Sequence, residues 1–205
     1  MIAIIDYGVG NLFSLKSSFA AIGAETVVTG EAEVIRAADK LILPGVGAFG
    51  DAAALLRRCG LDKLVCAEAW GGKPLLGICL GMQLLFDYGL EYGHHKGLGL
   101  IPGCVRPIAD HIPAEYKIPH IGWNALRFPA GKPASPLFQH IQEGDCVYFV
   151  HSFCGAECEE SVIAYAEYGA QLTAAVGRDS IYGVQFHPEK SGDVGLNILR
   201  AFCEL

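Results

Sequence analysis

Leu75-Leu76-Gly77-Ile78-Cys79-Leu80-Gly81-Met82-Gln83 opens as a short apolar run and reaches a cysteine with glycine two residues away on either side. It then continues into Leu84-Leu85-Phe86. Leu75 to Ile78 reads as a buried strand, and Met82 to Phe86 as the start of an amphipathic helix. A residue on so sharp a strand-to-helix turn is crowded, and flanking glycines relieve the crowding. The turn lifts the side chain out of the sheet and aims it at the helix N-terminus, whose positive end favours a thiolate. This is the geometry of a nucleophile elbow, with sulfur in place of oxygen. A buried structural cysteine is the competing reading, because free cysteine is among the most buried residue types.

Upstream of this turn the chain alternates strand and helix. Ile2 to Ile5 is an apolar strand, and Leu12, Leu15, Phe19 and Ile22 recur at helical spacing up to Gly23. Thr26-Val27-Val28 and Leu41-Ile42-Leu43 read as further strands, the second ending at Pro44-Gly45-Val46-Gly47. One long helical stretch through Leu55, Leu56 and Leu64 leads to Gly71-Gly72. Such alternation predicts an α/β fold, a central, mostly parallel sheet flanked by helices. Sites in these folds gather beyond the carboxyl ends of the strands, so the Gly8, Gly47 and Cys79 loops should converge.

From about Gly97 to Gln185 the pattern changes to short β-like runs, Gly97–Ile101, Val147–Val150, Ile163–Tyr165 and Thr173–Val176. These predict a mixed β extension of the sheet, closed by a helix from Val194 to Phe202. With no linker, repeat or low-complexity tract, residues 1–205 are expected to form one domain.

Tyr182-Gly183-Val184-Gln185-Phe186-His187-Pro188-Glu189 begins as a strand and ends in a histidine and a glutamate two positions apart. A free thiol is only a few per cent ionised at neutral pH; a nearby imidazole raises that fraction and later protonates the leaving group. The imidazole in turn needs a carboxylate to hold one tautomer. In an extended segment His187 and Glu189 share a face, and Pro188 stiffens the link. A lone His-x-Glu is an ordinary surface pair; beside an elbow cysteine it becomes a Cys79-His187-Glu189 triad candidate.

Composition narrows the field. At 205 residues and 52% hydrophobic, the chain is large enough for a substantial core, burying roughly 70% of its unfolded surface. No apolar stretch approaches a membrane span, and Met1 to Ile5 is too short for a signal segment. A net charge of −7 argues against a nucleic-acid partner. The eight cysteines form no disulfide framework, and Cys154-x3-Cys158 lacks a second pair to complete a metal site. A reduced, cytoplasmic setting is expected. Gly8-Val9-Gly10 is followed by Phe13 where a dinucleotide fingerprint needs its third glycine, and His94-His95 lacks further ligands. Neither cofactor nor metal is expected.

The two segments together resemble the class I, triad-type glutamine amidotransferases, which carry G-x-C-x-G-x-Q and a later H-P-E. Asp6-Tyr7-Gly8-Val9-Gly10-Asn11, Pro44 to Phe49, Pro119-His120-Ile121-Gly122-Trp123-Asn124, Tyr148-Phe149-Val150-His151-Ser152 and His187 to Ser191 narrow the resemblance. They are similar to the glutaminase subunits of imidazole glycerol phosphate synthases, over essentially the whole chain. The resemblance implies hydrolysis of L-glutamine and delivery of ammonia to a (β/α)8 cyclase partner in histidine biosynthesis. It implies an oxyanion hole from Gly45, Val46, Gly47 and the N–H of Leu80, and glutamine contacts at Gln83, Glu91 and Ser152. It places Asn11, Trp123, Tyr148 and Lys190 at the partner interface, together with Phe153, where the family often has tyrosine. Gln83 as an exposed polar helix residue and Trp123 as a core tryptophan remain open. So do three other functions: a glutaminase for another synthase, such as one making anthranilate or pyridoxal phosphate; a regulatory module with a vestigial triad; and a cysteine peptidase.

Overall fold

Ile2–Ile5 is apolar at every position because both faces of the strand it forms are covered. A computed structural model describes residues 1–205. In chain order the elements begin with β1 (Ile2–Ile5), α1 (Leu12–Ala21), β2 (Thr26–Thr29), α2 (Ala32–Ala37) and β3 (Lys40–Leu43). Then come α3 (Phe49–Arg58), α4 (Leu61–Trp70), β4 (Leu75–Ile78), α5 (Leu80–Leu84), β5 (Phe86–Gly89), β6 (His95–Lys96) and β7 (Ile101–Pro107). The rest comprises β8 (His120–Arg127), β9 (Cys146–His151), β10 (Phe153–Ala156), β11 (Val162–Glu167), β12 (Gln171–Arg178), β13 (Ile181–Val184) and α6 (Gly192–Glu204). Short 3-10 turns lie at Ile108–Asp110, Pro136–Phe138 and Pro188–Lys190.

Nine strands form the main sheet in the order β2-β1-β3-β4-β13-β12-β11-β8-β9. From β2 to β13 neighbours are parallel; from β13 to β9 they are antiparallel. Successive side chains of β1 enter opposite layers, as a period of two requires. Ala3 and Ile5 pack with Ile35, Phe49, Leu56 and Val65 from α2, α3 and α4. Ile2 and Ile4 pack with Leu15 and Phe19 of α1 and Ile198, Leu199 and Phe202 of α6. Each fully buried isoleucine, leucine, valine or phenylalanine among these contributes about 1.5–3 kcal/mol. Double-sided burial explains why these strands read as continuous apolar runs.

Several expectations need correction. The single helix expected from Leu55 to Leu64 is two, because the chain turns at Gly60, which adopts φ 70° and starts α4. Hydrophobic spacing continues across the break, since α3 and α4 pack on the same layer. The segment after Cys79 is not amphipathic: all five residues of α5 are buried, and Phe86 already belongs to β5. It is enclosed because β5 enters a second, four-stranded sheet, β10-β7-β5-β6, which the sequence reading did not foresee. Within Gly97–Ile101 only Ile101 is strand. The short helix α2 was also not anticipated.

Candidate active site

Cys79 joins β4 to α5 with φ 56° and ψ −113°, a conformation costly for any residue with a Cβ. Neighbouring glycines make it possible. A Cβ on Gly81 would run into the carbonyl of Leu43, and one on Gly77 would meet the Gly81 carbonyl at 2.7 Å. The elbow therefore packs directly on the end of β3. Its α5 is only five residues long, so the dipole assistance expected from the sequence is small.

His187 arrives from the adjacent strand. β13 is in register with β4, Val184 opposite Ile78, and the N–H of Cys79 donates to the Val184 carbonyl at 2.8 Å. Nucleophile and imidazole, far apart in sequence, are set by one parallel ladder. Beyond β13 the chain leaves the extended conformation expected for His187 to Glu189. His187 caps the 3-10 turn Pro188–Lys190, and that turn brings Glu189 Oε1 to 2.8 Å from His187 Nδ1. The Glu189 side chain is 1% exposed and its Oε2 is buried without a partner, so the ring is the group its carboxyl hydrogen-bonds. Burial by itself would lower the His187 pKa. Hydrogen bonding to Cys79 and Glu189 outweighs it and raises the imidazole to about 9.

A cavity of about 320 Å³ opens over these groups, a size suited to a small molecule. Its walls include Val46, Gly47, Cys79, Leu80, Gln83, Glu91, Ser152 and His187, so the expected oxyanion and glutamine residues converge there, apart from Gly45. Gly45 is buried just behind, against Leu80 and Gly81. Gln83 is buried, not an exposed helix residue; its Nε2 donates to the Phe153 carbonyl at 3.2 Å and to Gln185 Oε1 at 2.9 Å. Glu91 accepts from the Phe49 N–H at 2.6 Å, at the start of α3. Ser152 links β9 of the large sheet to β10 of the small one. Phe153, expected on the interface side, lines the cavity itself. The Gly8 loop does not line it, but Tyr7 before it does shape the site: its hydroxyl donates to the Pro44 carbonyl at 2.8 Å. Burial, and secondarily the Cys79 sulfur, push the Tyr7 pKa up, so that hydroxyl keeps its proton.

Trp123 is 59% exposed, which removes the core alternative. It packs edge-to-face with Tyr148, ring centroids 6.1 Å apart, and Lys190 Nζ lies 5.9 Å from the Tyr148 ring. Asn11, at the residue before α1, is not part of that stack. The stack is tied to the pocket through the backbone: the His187 N–H donates to the Tyr148 carbonyl at 2.9 Å, and the Tyr148 N–H to Ser191 Oγ at 3.0 Å.

Gln185, fully buried with its Nε2 3.8 Å from Cys79 Sγ, was missed from sequence. So were Tyr7 and the buried pair His120 and His151, although three of these four stand in segments that carried the resemblance. Their signal was a polar residue inside an otherwise apolar strand or motif.

A family model described as glutamine amidotransferase class-I matches residues 3–204. The imidazole glycerol phosphate synthase subunit HisH of Oceanobacillus iheyensis is 46% identical, covering 100% of this chain and 99% of that protein. The subunit of the same name from Lactococcus lactis is 47% identical over 99% of this chain and 98% of its own. A crystal structure of a glutamine amidotransferase superposes with a TM-score of 0.77 at 20% identity, covering 100% and 98% of the two chains; that likeness speaks to the fold alone. With an elbow cysteine, a His–Glu pair and a pocket at the sheet's carboxyl edge, and with full-length relatives at this identity, the chain belongs to the class-I glutamine amidotransferase family, among the HisH subunits.

Proposed function

We propose that this chain is the glutaminase subunit of an imidazole glycerol phosphate synthase. It hydrolyses L-glutamine to glutamate and ammonia and passes the ammonia to a cyclase subunit in histidine biosynthesis. The observation that carries this reading is the pocket that Cys79 and His187 line together with Gln83, Glu91 and Ser152, with Glu189 holding His187 from behind at 2.8 Å.

The Cys79 thiolate attacks the side-chain amide carbon of glutamine. The Leu80 N–H and a peptide N–H of Gly45 to Gly47 take the negative charge that develops on the carbonyl oxygen. Protonated His187, held by Glu189, gives its proton to the departing ammonia, leaving a thioester on Cys79. Water then attacks the thioester with His187 as base, releasing glutamate. The Glu91 carboxylate suits the α-ammonium of the substrate, and Gln83 and Ser152 suit its polar remainder.

Ammonia released into water would become ammonium, so the subunit needs a docked partner. Exposed Trp123 with Tyr148 and Lys190 has the composition of an interface hot spot, and Asn11 belongs to the same proposed surface. No helix is long and apolar enough to cross a membrane. A reactive thiol favours the reducing cytoplasm.

The deciding experiment replaces Cys79 with alanine in the complex with the cyclase. Glutamine hydrolysis should be lost while ammonium salts still support synthesis. Hydrolysis by Cys79→Ala at near wild-type rate would remove the assignment.

A further inference from the structure

A carbonyl oxygen can only accept, and that fact orients every group around the Phe153 carbonyl. Two side chains meet it: Gln83 Nε2 at 3.2 Å and His151 Nδ1 at 2.8 Å. Gln83 therefore presents its amide nitrogen there, because the reversed amide would set oxygen against oxygen. The second hydrogen of the same nitrogen points to Gln185 Oε1 at 2.9 Å. The oxygen end of Gln185 is thus occupied, and its amide nitrogen is left facing Cys79 Sγ at 3.8 Å. The backbone holds this orientation too, with the Gln185 N–H donating to the Ala174 carbonyl at 2.8 Å.

The same carbonyl fixes the other branch. His151 carries its proton on Nδ1, so its Nε2 accepts from His120 Nδ1 at 2.9 Å. His120 Nε2 then accepts from Asn124 Nδ2 at 3.2 Å. Burial lowers both imidazoles to about 4, so the pair is neutral and each link has one sense. Phe153 O is the shared anchor of a closed polar network, one arm of which ends at the Cys79 sulfur.

We propose that Gln185 is a catalytic residue of this site, its amide donating to the Cys79 sulfur and favouring the thiolate. The proposal rests on the glutaminase reading above and extends it to a residue outside the triad. The work it does is otherwise thinly covered: α5 is too short to supply much of a dipole, and His187 must give up its proton during turnover. Gln185 is neutral, fully buried and unable to titrate, so its donor is present at every step. A hydrogen bond to sulfur strengthens when the sulfur is charged, and that selectivity is what lowers a thiol pKa. An amide kept only for structure would have its nitrogen on a protein carbonyl; here it faces the reacting atom.

The test follows alkylation of Cys79 by iodoacetamide against pH, resolved by peptide mapping, in the full chain and in Gln185→Met and Gln185→Glu. Methionine keeps the length and removes the donor. Glutamate keeps the acceptor that Gln83 needs and turns an oxygen toward sulfur. Thermal melts establish that each variant is folded. The midpoint of Cys79 alkylation should rise by about one pH unit or more in both, the order expected for losing a hydrogen bond to a charged group. In the complex kcat of Gln185→Glu should fall about tenfold or more near neutral pH with KM little changed, since Gln83 keeps its acceptor and the lost contact is to sulfur and not to glutamine. An unmoved midpoint in a folded Gln185→Met protein overturns the proposal, whatever Gln185→Glu does, since a carboxyl beside the thiol acts through its own charge or proton. Failure of the underlying reading would be seen separately, as hydrolysis surviving in Cys79→Ala.

Discussion

His187 Nδ1 and Glu189 Oε1 meet at 2.8 Å across one turn of 3-10 helix, with Pro188 between them at the first position of the turn. The pair belongs to the backbone of that turn and not to a strand face. His187→Ala should therefore cost more activity than Glu189→Gln, because it removes the proton carrier itself. Loss of the orienting carboxylate costs about 10⁴-fold in the serine triad, and a drop of that order is expected for Glu189→Gln. Steady-state glutaminase rates of the two variants in the complex check this. Near wild-type rates in both would make the pair structural only.

Stability should depend on pH with two arms of opposite sign. Burial lowers His120 and His151 to about 4, so between about 4 and 6.5 the unfolded chain binds more protons and stability rises with pH. His187 is raised to about 9, so its contribution is complete below about 6.5 and fades as pH climbs through 9. Melting temperature against pH should peak near 6.5, and the alkaline arm should shrink in Glu189→Gln. A profile flat from 6.5 to 9 would contradict the His187 assignment.

The isolated chain should be a poor glutaminase. Val46 and Gly47 are exposed, and a peptide beside glycine can turn its N–H toward or away from the pocket at small steric cost. One missing oxyanion donor costs about 10²–10³ in rate. Binding of the cyclase and its nucleotide ligand needs to supply only that difference. Hydrolysis should rise at least about a hundredfold from the isolated chain to the liganded complex, measured as glutamate release. Full activity in the isolated chain would exclude gating and leave the triad untouched.

Trp123→Ala should weaken docking. A buried interface tryptophan of hot-spot type contributes about 2 kcal/mol or more, roughly thirtyfold in Kd. Calorimetric titration of the cyclase with wild-type and variant chains reads this directly. Unchanged affinity would place the interface elsewhere.

The parallel half of the sheet was legible because double-sided burial writes itself as apolar runs, as in Ile2–Ile5 and Leu75–Ile78. The elbow was legible because Cys79 cannot hold its φ without Gly77 and Gly81 beside it. Glu189 was found for an incomplete reason: spacing of two was right, but a 3-10 turn closes the gap. The break at Gly60 was hidden because α3 and α4 bury their leucines in one layer and so keep one apparent period. The small sheet was hidden because β5 begins at Phe86, at the end of an apolar run that reads equally well as helix. Gln185 could not be read as facing the sulfur. Its orientation depends on the Phe153 carbonyl, a backbone group contributed by another sheet.

Cys79 and His187 rest on the central ladder between β4 and β13, whereas Val46 and Gly47 lie on an open loop. Heritable change in this molecule therefore has two separate addresses. On the proposed roles, substitutions in the ladder should alter whether the bond can be broken at all and disturb the core with it. On the same proposal, substitutions at the loop and at the exposed Trp123 should alter when it is broken and for which partner, and leave the core intact. If those roles hold, one bond-breaking scaffold is open to reassignment to new acceptor enzymes by editing its rim.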